Sequence, residues 1–183
     1  MIDGDMTTHY LVLSALGPDR PGLVAELSSF LAERGGNVED SRMAVLGGEF
    51  GMMALVSGTE AEIARIEREL PTLEPKTGAK IVTRRTRSPE EHRQGESLPV
   101  VIEAESFDRE GIVRAIASAL HGLGVNIVSL ETAQWNAPFT GAELFRIQVR
   151  ADVPREVGLP RLRATLNEVG VREHLDLDVR AAS

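Results

Sequence analysis

Two short loops hold the residues in this chain best suited to grip a small polar molecule. The first is Gly17-Pro18-Asp19-Arg20-Pro21-Gly22 and the second is Ser106-Phe107-Asp108-Arg109-Glu110-Gly111. Arg20 and Arg109 carry planar forks that can clamp a carboxylate through two parallel hydrogen bonds. Asp19 and Asp108 either meet a ligand's ammonium group or act as turn and cap residues, a role worth about 1 kcal/mol. Gly22 and Gly111 let backbone approach closely to a neighbour or a ligand. A helix follows each loop in the sequence pattern, and its first N–H groups, lacking intrahelical partners, attract carboxylates and phosphates. Further on, Asn37 and Asn126 each carry an amide that donates and accepts, which suits a zwitterion. Their plainer role is to tolerate the turn out of Gly35 or Gly124.

The inventory for catalysis is thin. His9, His92, His121 and His174 are scattered and share no metal-ligand spacing with a carboxylate. There is no nucleophile elbow, phosphate loop or paired-histidine zinc motif. The expectation is a binding protein without catalytic residues, metal or cofactor.

Periodicity places these groups. His9 to Leu16 has the apolar character of a buried strand. Leu23, Leu27, Phe30 and Leu31 then recur at helical spacing, and Gly35-Gly36 supplies the stop of a glycine in left-handed geometry. Asn37 to Leu46 and Phe50 to Ser57 read as a hairpin around Gly47-Gly48. Thr59 is placed to cap a second helix carrying Ile63, Ile66 and Leu70, which Pro71 would end, and Ala79 to Thr86 forms a last strand. The order is strand, helix, strand, strand, helix, strand.

The order then repeats. Leu98 to Glu105 reads as a strand, a helix follows with Ile112, Val113, Ile116, Leu120 and Leu123 inward, and a strand starts at Val125. Asp19, Arg20, Gly22, Gly35 and Asn37 recur as Asp108, Arg109, Gly111, Gly124 and Asn126, each 89 residues on, so the chain is an internal duplication. The second copy departs in its hairpin, where Gln134 to Gly141 forms a longer loop before Ala142 to Arg150. Trp135 and Phe139, near that loop, suit a partner surface or core packing. A helix with Leu162, Leu166 and Val169 and a strand with Leu175, Leu177 and Val179 complete it.

The expected organisation is a tail over 1–8, a first module over 9–86, a polar linker over 87–97 and a second module over 98–183. Each module is small enough that association through exposed sheet edges or helix faces would help it, within the chain or as a homo-oligomer. The 183 residues carry a formal net charge of −8, which disfavours direct contact with a phosphate backbone. The absence of cysteine fits a reducing compartment, and with no leader or spanning segment evident the expected location is cytoplasmic.

The run Gly-Pro-Asp-Arg-Pro-Gly-Leu-Val followed by Leu-Ala-Glu-Arg-Gly-Gly-Asn-Val resembles the ACT domain, and the second copy matches as well. The resemblance implies an α+β chain of two tandem ferredoxin-like βαββαβ modules, each an antiparallel sheet with helices on one face. It also implies amino-acid binding, glycine or similar, between the loop after the first strand and the start of the second, often across a module–module interface. Asn37 and Asn126 match the family's ligand-contacting asparagine. Serine-binding members place a histidine and an asparagine where this chain has Gly17 and Asp19, or Ser106 and Asp108, so a serine-like pose is not implied.

The resemblance of the tandem pair to regulatory members of this family further implies a transcriptional regulator of glycine and one-carbon metabolism that contacts a DNA-bound activator. Two alternatives stay open at this stage: a regulatory subunit of a metabolic enzyme, and an acylphosphatase-like enzyme using arginine and asparagine.

Overall fold

The computed structural model describes residues 7–92, 97–107, 110–136 and 143–182. The chain divides into two units, Met1–Arg93 and Gln94–Ser183.

In the first unit, β1 (His9–Pro18) is followed by α1 (Leu23–Ala32), β2 (Asn37–Leu46), β3 (Glu49–Gly58), α2 (Glu60–Glu69), a 3₁₀ turn (Leu70–Thr72), a short α3 (Glu74–Thr77), β4 (Lys80–Thr86) and the single turn α4 (Pro89–His92). The four strands pair antiparallel in the order β2-β3-β1-β4. Alternation along β1 sends Leu11, Leu13 and Ala15 to one face, where they meet Met52, Ala54 and Val56 of β3. The stripe of α1, Leu23, Leu27, Phe30 and Leu31, and Ile63 and Ile66 of α2 cover that face. Each fully buried aliphatic side chain of this kind contributes about 1.5–3 kcal/mol.

Thr59 caps α2 through a capping box: its hydroxyl accepts from the Glu62 N–H while the Glu62 carboxylate accepts from the Thr59 N–H. Pro71 does not end helical structure here. It sits at the start of the following 3₁₀ turn, where its missing N–H costs nothing, and α3 extends the helical path to Thr77. That segment was not expected.

The second unit repeats the plan with β5 (Ser97–Phe107), α5 (Ile112–Gly122), β6 (Asn126–Asn136), β7 (Glu143–Pro154), α6 (Gly158–Glu173) and β8 (Asp176–Ala181), in the sheet order β6-β7-β5-β8. Its core joins Val100, Ile102 and Ala104 of β5 to Ile147, Val149, Ala151 and Val153 of β7 beneath Ile112, Ile116 and Leu120 of α5 and Leu162, Leu166 and Val169 of α6. Val113, expected inward, is 38% exposed, because it lies beside rather than on the stripe set by Ile112, Ile116 and Leu120. The long hairpin's tip, with Phe139, lies outside the described residues.

Both edge strands carry a bulge at the same place. The pairing of β2 with β3 shifts between Val38 and Asp40, and that of β6 with β7 between Ile127 and Ser129. The extra residues are Glu39 and Val128.

The uncovered faces differ. In the first sheet, register puts Val12, Ser14 and Leu16 of β1 beside Leu55, Met53 and Gly51 of β3, with Arg84, Val82 and Lys80 of β4 and Asp40 and Arg42 of β2 on the outer strands. In the second sheet the corresponding face carries Glu103 and Glu105 beside Gln148 and Arg146, with Asp176, Asp178 and Arg180. There Arg146 pairs with Glu105 and stacks on Trp135 at 5.0 Å, and Arg180 and Gln148 both donate to Glu103. Trp135 therefore lies on the sheet's outer surface and not in the core.

Candidate functional site

The first loop is built by the strand that feeds it and the hairpin beside it. The Asp19 N–H donates to the Gly48 carbonyl at 3.0 Å, tying the loop to the β2–β3 turn. The helix cap is not Asp19. Gly22 occupies the N-cap of α1 with φ 87° and no side chain caps the helix; Gly111 does the same for α5 with φ 91°. A left-handed residue is needed at both positions, which accounts for the repeated glycine. Asp108 and Arg109 lie outside the described residues.

Gly17 is required for space. A Cβ built on it would sit 2.6 Å from the Ala79 Cα, so a histidine has no room at this position. The second copy has Ser106, whose hydroxyl donates to the His174 carbonyl at 3.4 Å.

Arg20 does clamp a carboxylate, and it is the chain's own. Its Nη1 donates to Glu26 Oε1 at 2.8 Å and its Nη2 to Oε2 at 2.7 Å, with a further bond from Nη2 to the Lys76 carbonyl at 3.2 Å. This bidentate hydrogen bonding holds the Glu26 carboxyl below its ordinary range. The equivalent of Glu26 in the second copy is Ala115, which has no carboxylate to offer.

Asn37 is similarly engaged. Its Nδ2 donates to Glu39 Oε1 at 2.9 Å, and the Ser57 hydroxyl donates to the same oxygen at 2.5 Å. These bonds, Ser57's the larger, hold the Glu39 carboxyl below its ordinary range. Glu39 reaches both because the bulge turns it out of the strand's alternation. In the second copy Glu39 is replaced by Val128, and among the described residues the Asn126 amide makes no side-chain hydrogen bond.

The loop residues and the asparagine do not meet within a unit. Asn37 pairs with Ser57 at the level of Tyr10, whereas the loop leaves β1 after Pro18. Eight residues of strand separate the two levels, roughly 26 Å at strand rise. Asp19, Arg20 and Gly22 are grouped; Asn37 stands at the other end of the sheet. Gly111 and Asn126 are placed in the same way in the second unit.

Next to Gly111 lies a groove of about 650 Å³ between α5 and α6, with Ala115, Ala119 and Val169 among its lining residues and charges from Glu110, Arg114, Glu168 and Arg172. The equivalent of Ala119 in the first unit is the buried Phe30, over which Arg34 stacks at 3.6 Å while its Nε donates to Glu69 at 3.0 Å. Large side chains fill in one copy what small ones leave open in the other.

The sequence reading missed Glu26 and Glu39. Both were accessible to it: Glu26 lies one helical turn into α1, on the side facing back to the loop, and Glu39 lies two residues after Asn37. Among the described residues no group of three histidines and carboxylates is placed to hold a metal ion, and no helix is long and apolar enough to cross a membrane.

Comparison with known proteins adds the family. The ACT domain matches over residues 9–83. The glycine cleavage system transcriptional repressor of Escherichia coli is 32% identical over 148 residues, covering 80% of this chain and 76% of that protein. Among solved structures, a protein of unknown function from Galdieria sulphuraria superimposes with a TM-score of 0.78 and 34% identity over 97% of this chain and all of that one. A structure of a proposed glycine cleavage system transcriptional repressor gives 0.71 and 25% identity over 96% of this chain and 98% of that one.

Proposed function

This chain belongs to the ACT-domain family that includes the glycine cleavage system transcriptional repressor, and on that premise we propose that it senses an amino acid, glycine or one of similar size, through its second module. It is a regulatory protein, and the signal passes to a DNA-bound transcription factor by protein contact. A formal net charge of −8 supports an indirect route to DNA, because affinity for a phosphate backbone comes largely from lysine and arginine.

One observation carries the choice of module: Arg20 and Asn37 are already held by Glu26 and Glu39, whereas the second copy has Ala115 and Val128 at those positions. An amino acid at the first copy has to displace an internal carboxylate. At the second, the Asn126 amide, which makes no side-chain hydrogen bond among the described residues, can meet the ligand's carboxylate or ammonium group. Gly111 stands at the opposite end of that sheet, so Asp108 and Arg109, next to it in sequence, are proposed as contacts that reach the ligand from a second copy of the chain. Asp19, Arg20, Gly22 and Asn37 are then the self-occupied counterparts. Binding acts on the partner only through unequal affinity for two states of the chain.

Calorimetric titration of the purified chain with glycine, serine and alanine tests this. One of them should bind, Asn126→Ala should weaken it roughly 10-fold or more, the loss of about one hydrogen bond to a charged group, and Asn37→Ala should leave it unchanged. Equal loss in both variants, or no binding by any of the three, overturns the assignment. Capture of a metabolic enzyme in place of a transcription factor by the immobilised chain would overturn the route proposed for the signal.

A further inference from the structure

We propose that the uncovered face of the first sheet is where a second copy of this chain docks, sheet against sheet. The face is apolar at its centre and open: Leu16, Met53 and Val82 are 59%, 56% and 68% exposed. In the duplicated second unit, register puts Glu105, Gln148 and Asp178 at those three positions, and Arg150 at that of Leu55. A solvated sheet face of this fold thus takes charge, and the first copy has kept its face free of it at the centre.

The occupant follows from self-complementarity. Across the sheet, Leu55 lies beside Val12, Met53 beside Ser14, and Gly51 beside Leu16. A two-fold axis running parallel to the strands, between β1 and β3, turns β3 of one copy over β1 of the other without changing level. Met53 then faces the partner's Ser14, and Leu16 faces the partner's Gly51, so these two large side chains each meet a small residue, while Leu55 meets the partner's Val12. One pair of charges at the edges follows the same rule, while Arg42, at the level of Met53, turns toward the partner's Val82. At the level of Leu55 and Val12 the outer strands carry Asp40 and Arg84, which the rotation brings together. Among the described residues Arg84 has no ion pair, whereas Asp40 also accepts from Arg42 and Lys80 lies 3.6 Å from Glu74. Glu49 stands at the far end, beyond the apolar centre. Four strands about 4.8 Å apart and six residues of each give a footprint of roughly 400 Å² per copy, the size of a weak, reversible association.

The natural sequence contains no cysteine, so single-cysteine chains give an unambiguous test. Ser14→Cys and Met53→Cys chains, mixed and oxidised, should yield the mixed disulfide dimer in excess over either homodimer. Sedimentation equilibrium of the unaltered chain should show a monomer–dimer equilibrium, and Met53→Glu, at an exposed position, should weaken it at least 10-fold while its melting curve stays in place. Arg84→Glu should weaken it less, and adding Asp40→Arg should restore it. A chain that stays monomeric at several hundred micromolar overturns the proposal. So does a dimer unaffected by Met53→Glu that yields no mixed disulfide, which would place the contact on a sheet edge or helix face.

Discussion

Asn37 and Asn126 stand on the same backbone, each two residues ahead of a bulged residue on an edge strand, and yet their amides live in different surroundings. One is bonded to Glu39; the other has Val128 at the equivalent position. The same holds at the loops, where Glu26 answers Arg20 and its counterpart is Ala115. Residues that set the backbone, Gly22 with Gly111 and Gly35 with Gly124, have stayed fixed, while groups that decide whether a site is occupied have diverged. A duplicated fold relieves one copy of binding and leaves it free to become a surface. The apolar outer face of the first sheet and the charged one of the second fit that division.

The largest break in the comparison comes from the cores. Leu13 and Ile102 are both fully buried, in separate clusters. Either residue changed to alanine should cost about 2–5 kcal/mol of its own unit's stability. With the second module as the sensor, Ile102→Ala should abolish amino-acid binding once that unit melts, and Leu13→Ala should spare it, as calorimetry above and below each transition would show. If Leu13→Ala removed binding at a temperature where the second unit remains folded, the assignment to one module would be wrong.

Exchanging residues between copies is gentler. Gly17→Ser installs the second copy's residue, Ser106, where a Cβ already meets Ala79 at 2.6 Å. The overpacking should destabilise the first unit by about 1–3 kcal/mol, seen as a lower denaturant midpoint. The reverse change, Ser106→Gly, removes only a long hydrogen bond of 3.4 Å at an exposed site and should be close to neutral. Smaller again is Thr59→Ala. It removes the capping box of α2 and should cost about 1 kcal/mol, whereas α6 begins without any side-chain cap and has no equivalent to lose.

The architecture was legible because its signals are local and doubled: helical stripes, alternating strands, and glycines at turns that demand them, all recurring at one interval. The helical extension after Pro71 was not, because a proline stops one helix and starts another with equal ease, and only packing of Leu70 and Leu73 into the core decides which. At the site, residue types were legible and their availability was not. Whether Arg20 or Asn37 is free depends on how far Glu26 and Glu39 reach, and for Glu39 that depends on a bulge, which leaves no mark in hydrophobic periodicity. The separation of loop from asparagine by the length of the sheet follows from β1 and β2 running in the same direction, so it could have been deduced from the element order alone.

The smallest effect addresses the internal carboxylates themselves. The Ser57 hydroxyl and the Asn37 amide both donate to Glu39 and so favour its ionised form in the folded chain, lowering its pKa from the ordinary 4.5. A carboxyl lowered on folding adds stability above its unfolded pKa, and that stability disappears as pH falls through the folded one. The first unit's melting temperature should therefore fall less steeply below about pH 4.5 in Glu39→Gln than in the natural chain. Glu103 is lowered in the same direction by Gln148 and Arg180 in the second unit, so Glu103→Gln should flatten that unit's acid limb instead. Glu39 is exposed and Glu103 half-buried, and the change in slope should be modest. If Glu39→Gln left the first unit's acid limb as steep as before, the Asn37–Glu39 bond would not persist in solution, and Asn37 would be as free to take a ligand as Asn126.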